Sequence, residues 1–322
     1  MERYAVIAIV TSFLLTAALI KVLIPILTRL KLGQRILEIG PSWHAAKSGT
    51  PTMGGIAFLV TALAVCEVFS LILGGREGAL LITVTLYAFA NGIIGLTDDA
   101  VKMKKRQNEG LTAFAKYLLQ LIAAAGFIVA LRVLGFVSTE LYLPFFAVNI
   151  DIGALYYPFA LLMLTGFVNA VNLTDGLDGL CASVSAVVAL FFAMLFFREG
   201  NTPMSAFSFV IFSVCLAFLI YNFHPAKIFM GDTGSLFIGG AVSGMSLASG
   251  KNTVLIIVGV MYLVEAVSVI LQVIYYKLTK KRLFLMAPIH HHFEKKGKSE
   301  VKITAGFTLV TAAASVIALI FA

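Results

Sequence analysis

Long apolar runs recur along the whole chain and are separated by short polar loops. A helix needs about 20 apolar residues to cross a hydrocarbon core roughly 30 Å thick. Ten runs meet or approach that length: Tyr4–Leu27, Gly54–Leu73, Ala79–Leu96, Thr112–Leu134, Ala154–Leu173, Leu177–Phe197, Met204–Tyr221, Gly234–Ser249, Thr253–Leu278 and Val301–Phe321. No internal repeat or long linker divides them. The pattern predicts an all-α integral membrane protein of about ten transmembrane helices, with residues 1–322 forming a single polytopic domain.

One stretch departs from this helical pattern. Residues 141–152, with the sequence LYLPFFAVNIDI, are rich in β-forming side chains and partly alternate between apolar and polar. Such a pattern is typical of a short β-hairpin. We expect this hairpin to lie on the outer face of the membrane, where it covers the bundle.

Composition excludes a soluble protein. The chain is 60% hydrophobic and only 12% charged, whereas soluble domains are about a quarter charged. The net charge of +8 comes from basic residues in short loops, which argues for a lipid bilayer as partner and against nucleic acid. The cysteines Cys66, Cys181 and Cys215 each lie in an apolar run without CxxC spacing, so neither a disulfide nor a zinc site is indicated.

The distribution of lysine and arginine predicts the orientation of the chain. Eighteen of the 24 basic residues fall in one set of alternating loops, and five fall in the other. Cytoplasmic loops carry the excess of positive charge. We therefore expect both termini outside, and all the histidines and most of the aspartates on the cytoplasmic side.

The first candidate motif is an aspartate pair at the inner end of the third run. Asp98 and Asp99 are adjacent and would repel each other, which favours a cation beside them. Oxygen ligands at a membrane edge suit Mg²⁺, whose shell is usually completed by water and substrate phosphates. Lys102 follows one helical turn after Asp98 and could hold a phosphate oxygen. The alternative is a solvated helix end with an ion pair between residues four apart.

The second motif combines amides, carboxylates and glycine after the fifth run. Asn169, Asn172 and Gly176 would share one helix face, and Asp175 and Asp178 follow where glycine favours a break in the helix. Amide and carboxylate groups together suit a polar ligand such as a sugar or a nucleoside. The alternative is an exit loop capped by aspartate.

Two further motifs lie in later loops. Asp232 precedes Thr233 and Ser235, which could cap the eighth helix and favour an anion there. An aspartate beside a bound phosphate makes sense when a metal bridges the two. His290, His291 and His292 follow in a cytoplasmic loop, where imidazoles could donate to phosphate or orient water. The alternatives are capping alone for the first motif and contact with anionic lipid headgroups for the second.

The ninth run carries two polar side chains inside the membrane. A buried glutamate in a membrane is costly and often functional, and Glu265 and Gln272 share one helix face. We interpret them as lining a groove for lipid or sugar. Hydrogen bonding between helices is the alternative.

Together these motifs resemble the polyprenyl-phosphate N-acetylhexosamine-1-phosphate transferases. The resemblance runs from GPSWHAAKSGTPTMGG (Gly40–Gly55) through NAVNLTDGLDGL and FMGDTGS to MAPIHHHFE. It favours the branch that uses UDP-MurNAc-pentapeptide over the sister branch that passes GlcNAc-1-phosphate to a polyprenyl phosphate. An ion-coupled transporter is a more distant alternative, because transporter carboxylates usually lie near the midplane.

The resemblance implies a reaction and a location. Phospho-MurNAc-pentapeptide would pass from UDP to undecaprenyl phosphate, giving lipid I and UMP in peptidoglycan synthesis, with Mg²⁺ as cofactor. The site would face the cytoplasm at the inner membrane of a bacterium. Direct attack by the lipid phosphate and a two-step route through a phosphorylated aspartate both remain open. The sequence is also compatible with a homodimer.

The resemblance assigns roles to the motif residues. Asp98, Asp99 and Asp232 become the catalytic carboxylates, with Asp98 the candidate base and Asp232 the metal ligand. Phosphates would be held by Lys102 and Lys116, and the pyrophosphate or sugar-peptide would face His290, His291 and His292. The nucleoside pocket would be lined by Asn172, Asp175, Gly176, Asp178 and Phe229, with Phe229 stacked on uracil, and reached by Lys47 and Asn222.

Overall fold

The structure is a computed structural model that describes residues 2–30, 47, 49–105 and 109–321. Residues 40–46 and 48 of the first loop motif therefore lie outside the described residues. The helices are α1 Glu2–Arg29, α2 Ile56–Leu73, α3 Gly75–Lys105, α4 Ala113–Val133, α5 Tyr156–Thr174, α6 Leu180–Arg198, α7 Thr202–Asn222, α8 Gly231–Ala248, α9 Val254–Val258, α10 Val260–Thr279, α11 Ile289–Lys295 and α12 Glu300–Phe321. Among the described residues, two strands complete the fold: β1 Glu140–Leu143 and β2 Val148–Asp151.

The all-α membrane fold is confirmed. Within the described residues, nine helices are long and apolar enough to cross a membrane: α1 to α7, α10 and α12. The remaining predicted run forms α8, which is rich in glycine and serine and buried from Thr233 to Ala248. A Cβ at Gly239 would lie 2.7 Å from Val168 Cα of α5, and one at Gly240 would lie 3.0 Å from Ala88 Cα of α3. Small residues thus let α8 pack closely between its neighbours, which is typical of helices inside a membrane bundle.

The prediction of one continuous helix over Thr253–Leu278 is wrong. The helix is interrupted at Gly259, which separates α9 from α10. A Cβ there would lie 2.7 Å from both Leu255 O and Phe167 Cε1, so the backbone packs where a side chain would not fit.

The predicted hairpin is confirmed between residues 140 and 151. Its strands are antiparallel, with Glu140 opposite Asp151 and Leu143 opposite Val148. The hairpin lies at the end of the bundle where α12 finishes, because Tyr142 Oη donates to Phe321 O at 2.8 Å.

Helix α3 connects the two ends of the bundle. Arg76 at its start donates to Leu134 O (2.7 Å) and Gly135 O (2.8 Å), close to the hairpin. The helix continues past the predicted end at Leu96 to Lys105. At about 1.5 Å per residue, its 31 residues span roughly 45 Å. The aspartates near its end therefore lie far from the hairpin, and Asp98 and Asp99 belong to the helix itself.

Candidate active site

Helix α3 meets the first turn of α8 at this far end, and three carboxylates converge there. Carboxylate oxygens of Asp98, Asp99 and Asp232 all lie within 4.8 Å of one another. Asp98 and Asp99 are only 3% and 5% exposed, which rules out the solvated helix end that was the alternative interpretation of this pair. The close approach depends on glycine, because a Cβ at Gly95 would lie 2.1 Å from the backbone oxygen of Asp232.

Asp99 caps α8 from a neighbouring helix. Its Oδ2 accepts from Thr233 N (2.9 Å) and Thr233 Oγ1 (2.7 Å), and its Oδ1 accepts from Asp232 N at 3.2 Å. The first N–H groups of a helix lack partners within the helix, and a carboxylate there also interacts favourably with the helix dipole. Gly231 has φ +71°, and a Cβ on it would lie 2.6 Å from Asp99 Oδ2. Both oxygens of Asp99 therefore serve to place Asp232.

Asp98 makes different contacts. Its Oδ2 lies 2.7 Å from Lys102 Nζ, and its Oδ1 accepts from the backbone N–H of Leu111 at 2.9 Å. Gly110 fits against it, since a Cβ there would lie 2.5 Å from the carboxylate. The predicted ion pair between residues four apart exists, but it is enclosed by the loop that leads into α4.

The two aspartates are therefore expected to respond differently to substitution by asparagine. Asp99→Asn places an amide N–H₂ against helix donors and should destabilise the fold by about 1–3 kcal/mol, the cost of leaving buried donors unsatisfied. Asp98→Asn keeps an acceptor for Leu111 and should lower activity with a smaller loss of stability. Thermal unfolding and turnover of both variants test this, and equal losses of stability would contradict the capping role of Asp99.

Asp232 is held by two ammonium groups and an amide. Its Oδ2 lies 2.8 Å from Lys102 Nζ and 2.7 Å from Lys116 Nζ, and its Oδ1 accepts from Asn172 Nδ2 at 3.0 Å. The set of three carboxylates and two ammonium groups is left with an excess of negative charge. Its donors are oxygen atoms, which is the chemistry that Mg²⁺ prefers, so these residues fit a divalent cation bound together with anionic phosphates.

The loop between α5 and α6 lies beside this cluster. Asn172, in the last turn of α5, donates to Ser235 Oγ at 2.8 Å as well as to Asp232, and so ties the helix end before this loop to α8. Burial, strengthened by the carboxylates of Asp232, Asp99 and Asp178, raises the pKa of Asp175 to about 8. Asp175 therefore keeps its proton at neutral pH and can donate a hydrogen bond, unlike an ionised aspartate.

A second cluster lies on the other side of this loop. Lys47 Nζ lies 2.7 Å from Asp178 Oδ1 and 2.6 Å from Glu300 Oε2. His224 Nδ1 lies 2.9 Å from Asp178 Oδ2. The side chains of Asp178, His224 and Glu300 are close enough to hold a metal ion, but the ammonium group of Lys47 already contacts both acids and offsets part of their charge.

The three adjacent histidines have three different surroundings. His290 Nδ1 lies 3.0 Å from Glu265 Oε1, and His291 Nδ1 lies 2.6 Å from Glu294 Oε2. His292 Nδ1 accepts from the backbone N–H of Leu285 at 3.1 Å. Burial and the nearby ammonium of Lys296 lower the pKa of His292, in keeping with this acceptor role.

Several predicted site residues mainly support the structure around the clusters. Asn169 donates to Gln120 Oε1 at 2.7 Å within the bundle. Asn222 accepts from Gly179 N and donates to Ile228 O, both at 2.9 Å, and so connects two loops. Gln272 Oε1 accepts from the backbone N–H groups of Leu283 and Phe284, at 3.2 and 2.8 Å. The ring of Phe229 is half-buried, while its backbone pairs with Pro51 and Gly54.

The structure thus joins the predicted motifs into two neighbouring clusters. The first contains Asp98, Asp99, Lys102, Lys116, Asn172 and Asp232. The second contains Lys47 and Asp178, together with two residues that the sequence analysis did not place in a site, His224 and Glu300. Glu300 stands among lysines in KKGKSEVK, where it looks like an ordinary solubilising charge.

The fold and the site define a polytopic membrane enzyme whose acids, lysines and histidines meet at one end of a helical bundle. The family model for glycosyl transferase family 4 matches residues 80–250. Signature 1 of phospho-N-acetylmuramoyl-pentapeptide-transferase matches residues 47–59.

Curated relatives match over nearly the whole chain. Proteins named phospho-N-acetylmuramoyl-pentapeptide-transferase from Clostridium perfringens (strain 13 / Type A) and Halalkalibacterium halodurans are each 41% identical, over 307 and 312 residues. The protein of that name from Geobacillus thermodenitrificans is 42% identical over 313 residues. The matches cover 95–96% of this chain and 95% of each relative. This chain therefore belongs to the phospho-N-acetylmuramoyl-pentapeptide-transferase family and is a transferase, which confirms the resemblance found in the sequence.

Proposed function

We propose that the protein transfers phospho-MurNAc-pentapeptide from UDP-MurNAc-pentapeptide to undecaprenyl phosphate, forming lipid I and releasing UMP. The observation that carries this proposal is the convergence of two lysines on Asp232 beside Asp98, with Nζ–Oδ2 distances of 2.7 and 2.8 Å. Paired ammonium groups next to carboxylates suit a reaction between two phosphate anions, where charge neutralisation and positioning lower the barrier. The names of the relatives support the identity of the substrates.

The reaction is proposed to be a direct displacement. An oxygen of the lipid phosphate bonds to the sugar-bearing phosphorus, and the bond from that phosphorus to the bridging oxygen breaks, so UMP leaves with the bonding electrons. Lys102 and Lys116 turn from Asp232 toward the phosphates and reduce their repulsion. Asp98 accepts the proton of the lipid phosphate when that phosphate arrives protonated.

Asp232, with Asp98 beside it, would hold Mg²⁺, which when bound offsets phosphate charge. Asp99 takes no part in this contact, because it keeps the first turn of α8 in place. Asp175 carries its proton near neutral pH and would donate a hydrogen bond to the substrate without adding negative charge.

The second cluster is proposed as the nucleoside end of the site. Asp178 and Lys47 offer an acceptor and a donor 2.7 Å apart, suited to the polar edge of uracil. The half-buried ring of Phe229 would stack on the base. Gly176 lies between this cluster and Asn172 and leaves room for the backbone to approach the ligand.

The site is proposed to face the cytoplasm at the inner membrane of a bacterium. The end of α3 beside it carries Lys102, Lys104 and Lys105, and a basic stretch of sequence follows α11, in keeping with the positive-inside rule. The two ends of the described chain lie at the opposite end of the bundle, where Arg3 and Phe197 line one cavity and Arg198 donates to Leu319 O at 2.9 Å.

UMP release tests the proposed function. Purified protein given undecaprenyl phosphate, UDP-MurNAc-pentapeptide and Mg²⁺ is expected to release UMP, and removal of the metal with a chelator should stop this release. Parallel reactions with UDP-GlcNAc should release little. Release from UDP-GlcNAc alone would assign the protein to the sister branch, and release from neither sugar by folded protein would refute the transferase reaction.

Omission of the lipid acceptor distinguishes the two chemical routes. Direct displacement predicts no UMP without undecaprenyl phosphate, even at stoichiometric protein concentration. A burst of one UMP per protein in its absence would instead indicate a covalent phospho-aspartate intermediate.

A further inference from the structure

Glu265 is buried in the membrane domain and has one close titratable neighbour, His290, among the described contacts. The residue is 0% exposed, and neither of its carboxylate oxygens has an aligned hydrogen bond from the described residues. His290 Nδ1 lies 3.0 Å from Oε1, within hydrogen-bonding distance although not in line. A carboxylate buried without compensation is very costly. The arrangement therefore indicates that Glu265 of α10 is present for its interaction with His290.

The opposite edge of the His290 ring is directed at the substrate loop. A Cβ at Gly176 would lie 2.1 Å from His290 Nε2, so the imidazole fits against this loop only because residue 176 is glycine. The ring is 1% exposed, and Nε2 has no hydrogen-bond partner among the described residues. On one side of Gly176 is Asn172, bound to Asp232, and on the other is Asp178.

We infer that Glu265 is a positioning residue, whose carboxylate holds His290 so that Nε2–H donates to the pyrophosphate of a bound nucleoside diphosphate sugar. This inference rests on the proposed function. The hydrogen bond made by one ring nitrogen decides which role the other can take, and a buried carboxylate orients an imidazole. His290 then offers a donor between the two clusters, at a position that is not occupied by Lys102 or Lys116, which both contact Asp232.

The surroundings of the neighbouring histidines separate their roles from that of His290. His291 faces the His290 ring with a centroid distance of 4.1 Å and has Glu294 as its own acid. His292 holds the backbone of Leu285. Glu265 from α10 and His291 from α11 are the titratable groups seen facing His290 in the described contacts.

Glu265→Gln tests the inference because glutamine has nearly the same shape without the charge. We expect kcat to fall about 10- to 100-fold, as for other groups that orient a functional imidazole, with a smaller change in KM for the UDP-sugar. A merely structural effect would instead raise KM for the UDP-sugar at least as much as it lowers kcat, and that outcome would overturn the inference.

A double-mutant cycle gives an independent measurement. In a His290→Ala background, Glu265→Gln should cost little more activity, since its partner is already gone. Additive losses would contradict the pairing. Glu199→Gln is the matched control. Glu199 Oε1 lies 2.7 Å from Lys251 Nζ, and this ion pair is distant from the site, so the variant should retain full activity.

Histidine NMR on ¹⁵N-labelled protein tests the same pairing without any enzymatic turnover of substrate. The ring-nitrogen signals of His290, assigned by their absence in His290→Ala, should differ in chemical shift between the unsubstituted protein and Glu265→Gln at the same pH, because the group that contacts Nδ1 changes. Identical ring signals in the two proteins would overturn the inference. The measurement remains decisive if no UDP-sugar is turned over, so it distinguishes failure of this inference from failure of the proposed function. Thermal unfolding of Glu265→Gln confirms that the variant is folded.

Discussion

Asp232→Asn is expected to lower Mg²⁺-dependent UMP release by about 10²–10³-fold or more, the usual cost of removing one preorganised electrostatic group from an active site. One oxygen of Asp232 holds both Lys102 and Lys116, and the other holds Asn172. Asparagine cannot neutralise either ammonium group and is a poor ligand for a divalent cation. The substitution therefore removes the metal contact and releases both lysines at once.

The folded state should survive this change. The first cluster has one more carboxylate than ammonium groups, so the neutral asparagine leaves two charges of each sign. We expect only a small change in thermal stability without metal, together with loss of the stabilisation that Mg²⁺ gives the unsubstituted protein. Measurement of both UMP release and the unfolding temperature, with and without Mg²⁺, separates these effects.

Asp151→Asn is the control for this experiment. Asp151 lies in β2, where it accepts from Thr139 Oγ1 at 2.7 Å, at the opposite end of the bundle from the carboxylate cluster. The same chemical change there should leave activity unaltered. Near-normal activity of Asp232→Asn would refute the proposed metal ligand and the proposed role of its lysines.

The fold was largely predictable because the information that specifies it is local. A run of about 20 apolar residues must be helical in lipid, where every backbone polar group needs an internal partner. The ends of the helices were harder to predict. Helix α3 continues past Leu96 and carries Asp99, which caps the start of α8. Because α8 begins 132 residues after Asp99, this contact between helices has no local signal in the sequence.

The motifs of the candidate site could be recognised one by one in the sequence, but their assembly could not be predicted. Each acid stood out because it interrupts an apolar sequence with Gly, Asn or Thr around it. The contact of Lys47 with Glu300 joins residues 253 positions apart. Glu300 lies in a basic stretch of the sequence, where an isolated glutamate is unremarkable. Glu265 was a candidate because a glutamate inside a membrane helix is costly. Its contact with His290 could not be predicted, because it depends on the packing of α11 beside α10.

Gly95→Ala is expected to be as damaging as the loss of a catalytic carboxylate, although it changes only one methyl group. The added Cβ would lie 2.1 Å from Asp232 O, 2.4 Å from Asp232 C and 2.7 Å from Thr233 N. All three are backbone atoms at the start of α8, so no side-chain rotation relieves the overlap. Overpacking of this kind costs about 1–3 kcal/mol or more.

Separation of α3 from α8 should also disable the chemistry. Asp98 and Asp99 belong to one helix and Asp232 to the other, so any movement apart opens the carboxylate cluster and weakens the cap from Asp99 to Thr233. A misplacement of about 1 Å can cost on the order of 10²-fold in rate. We therefore expect a large loss of UMP release together with a lower unfolding temperature.

Gly126→Ala is the matched control, since a Cβ at Gly126 of α4 meets no heavy atom within 4 Å. Alanine is the better helix former by about 1 kcal/mol, so this variant should be at least as stable as the parent and fully active. If Gly95→Ala matched Gly126→Ala in both measurements, α3 and α8 would not need their close contact. The site would then tolerate a geometry in which the three carboxylates no longer meet, and the reaction would have to depend on fewer of them.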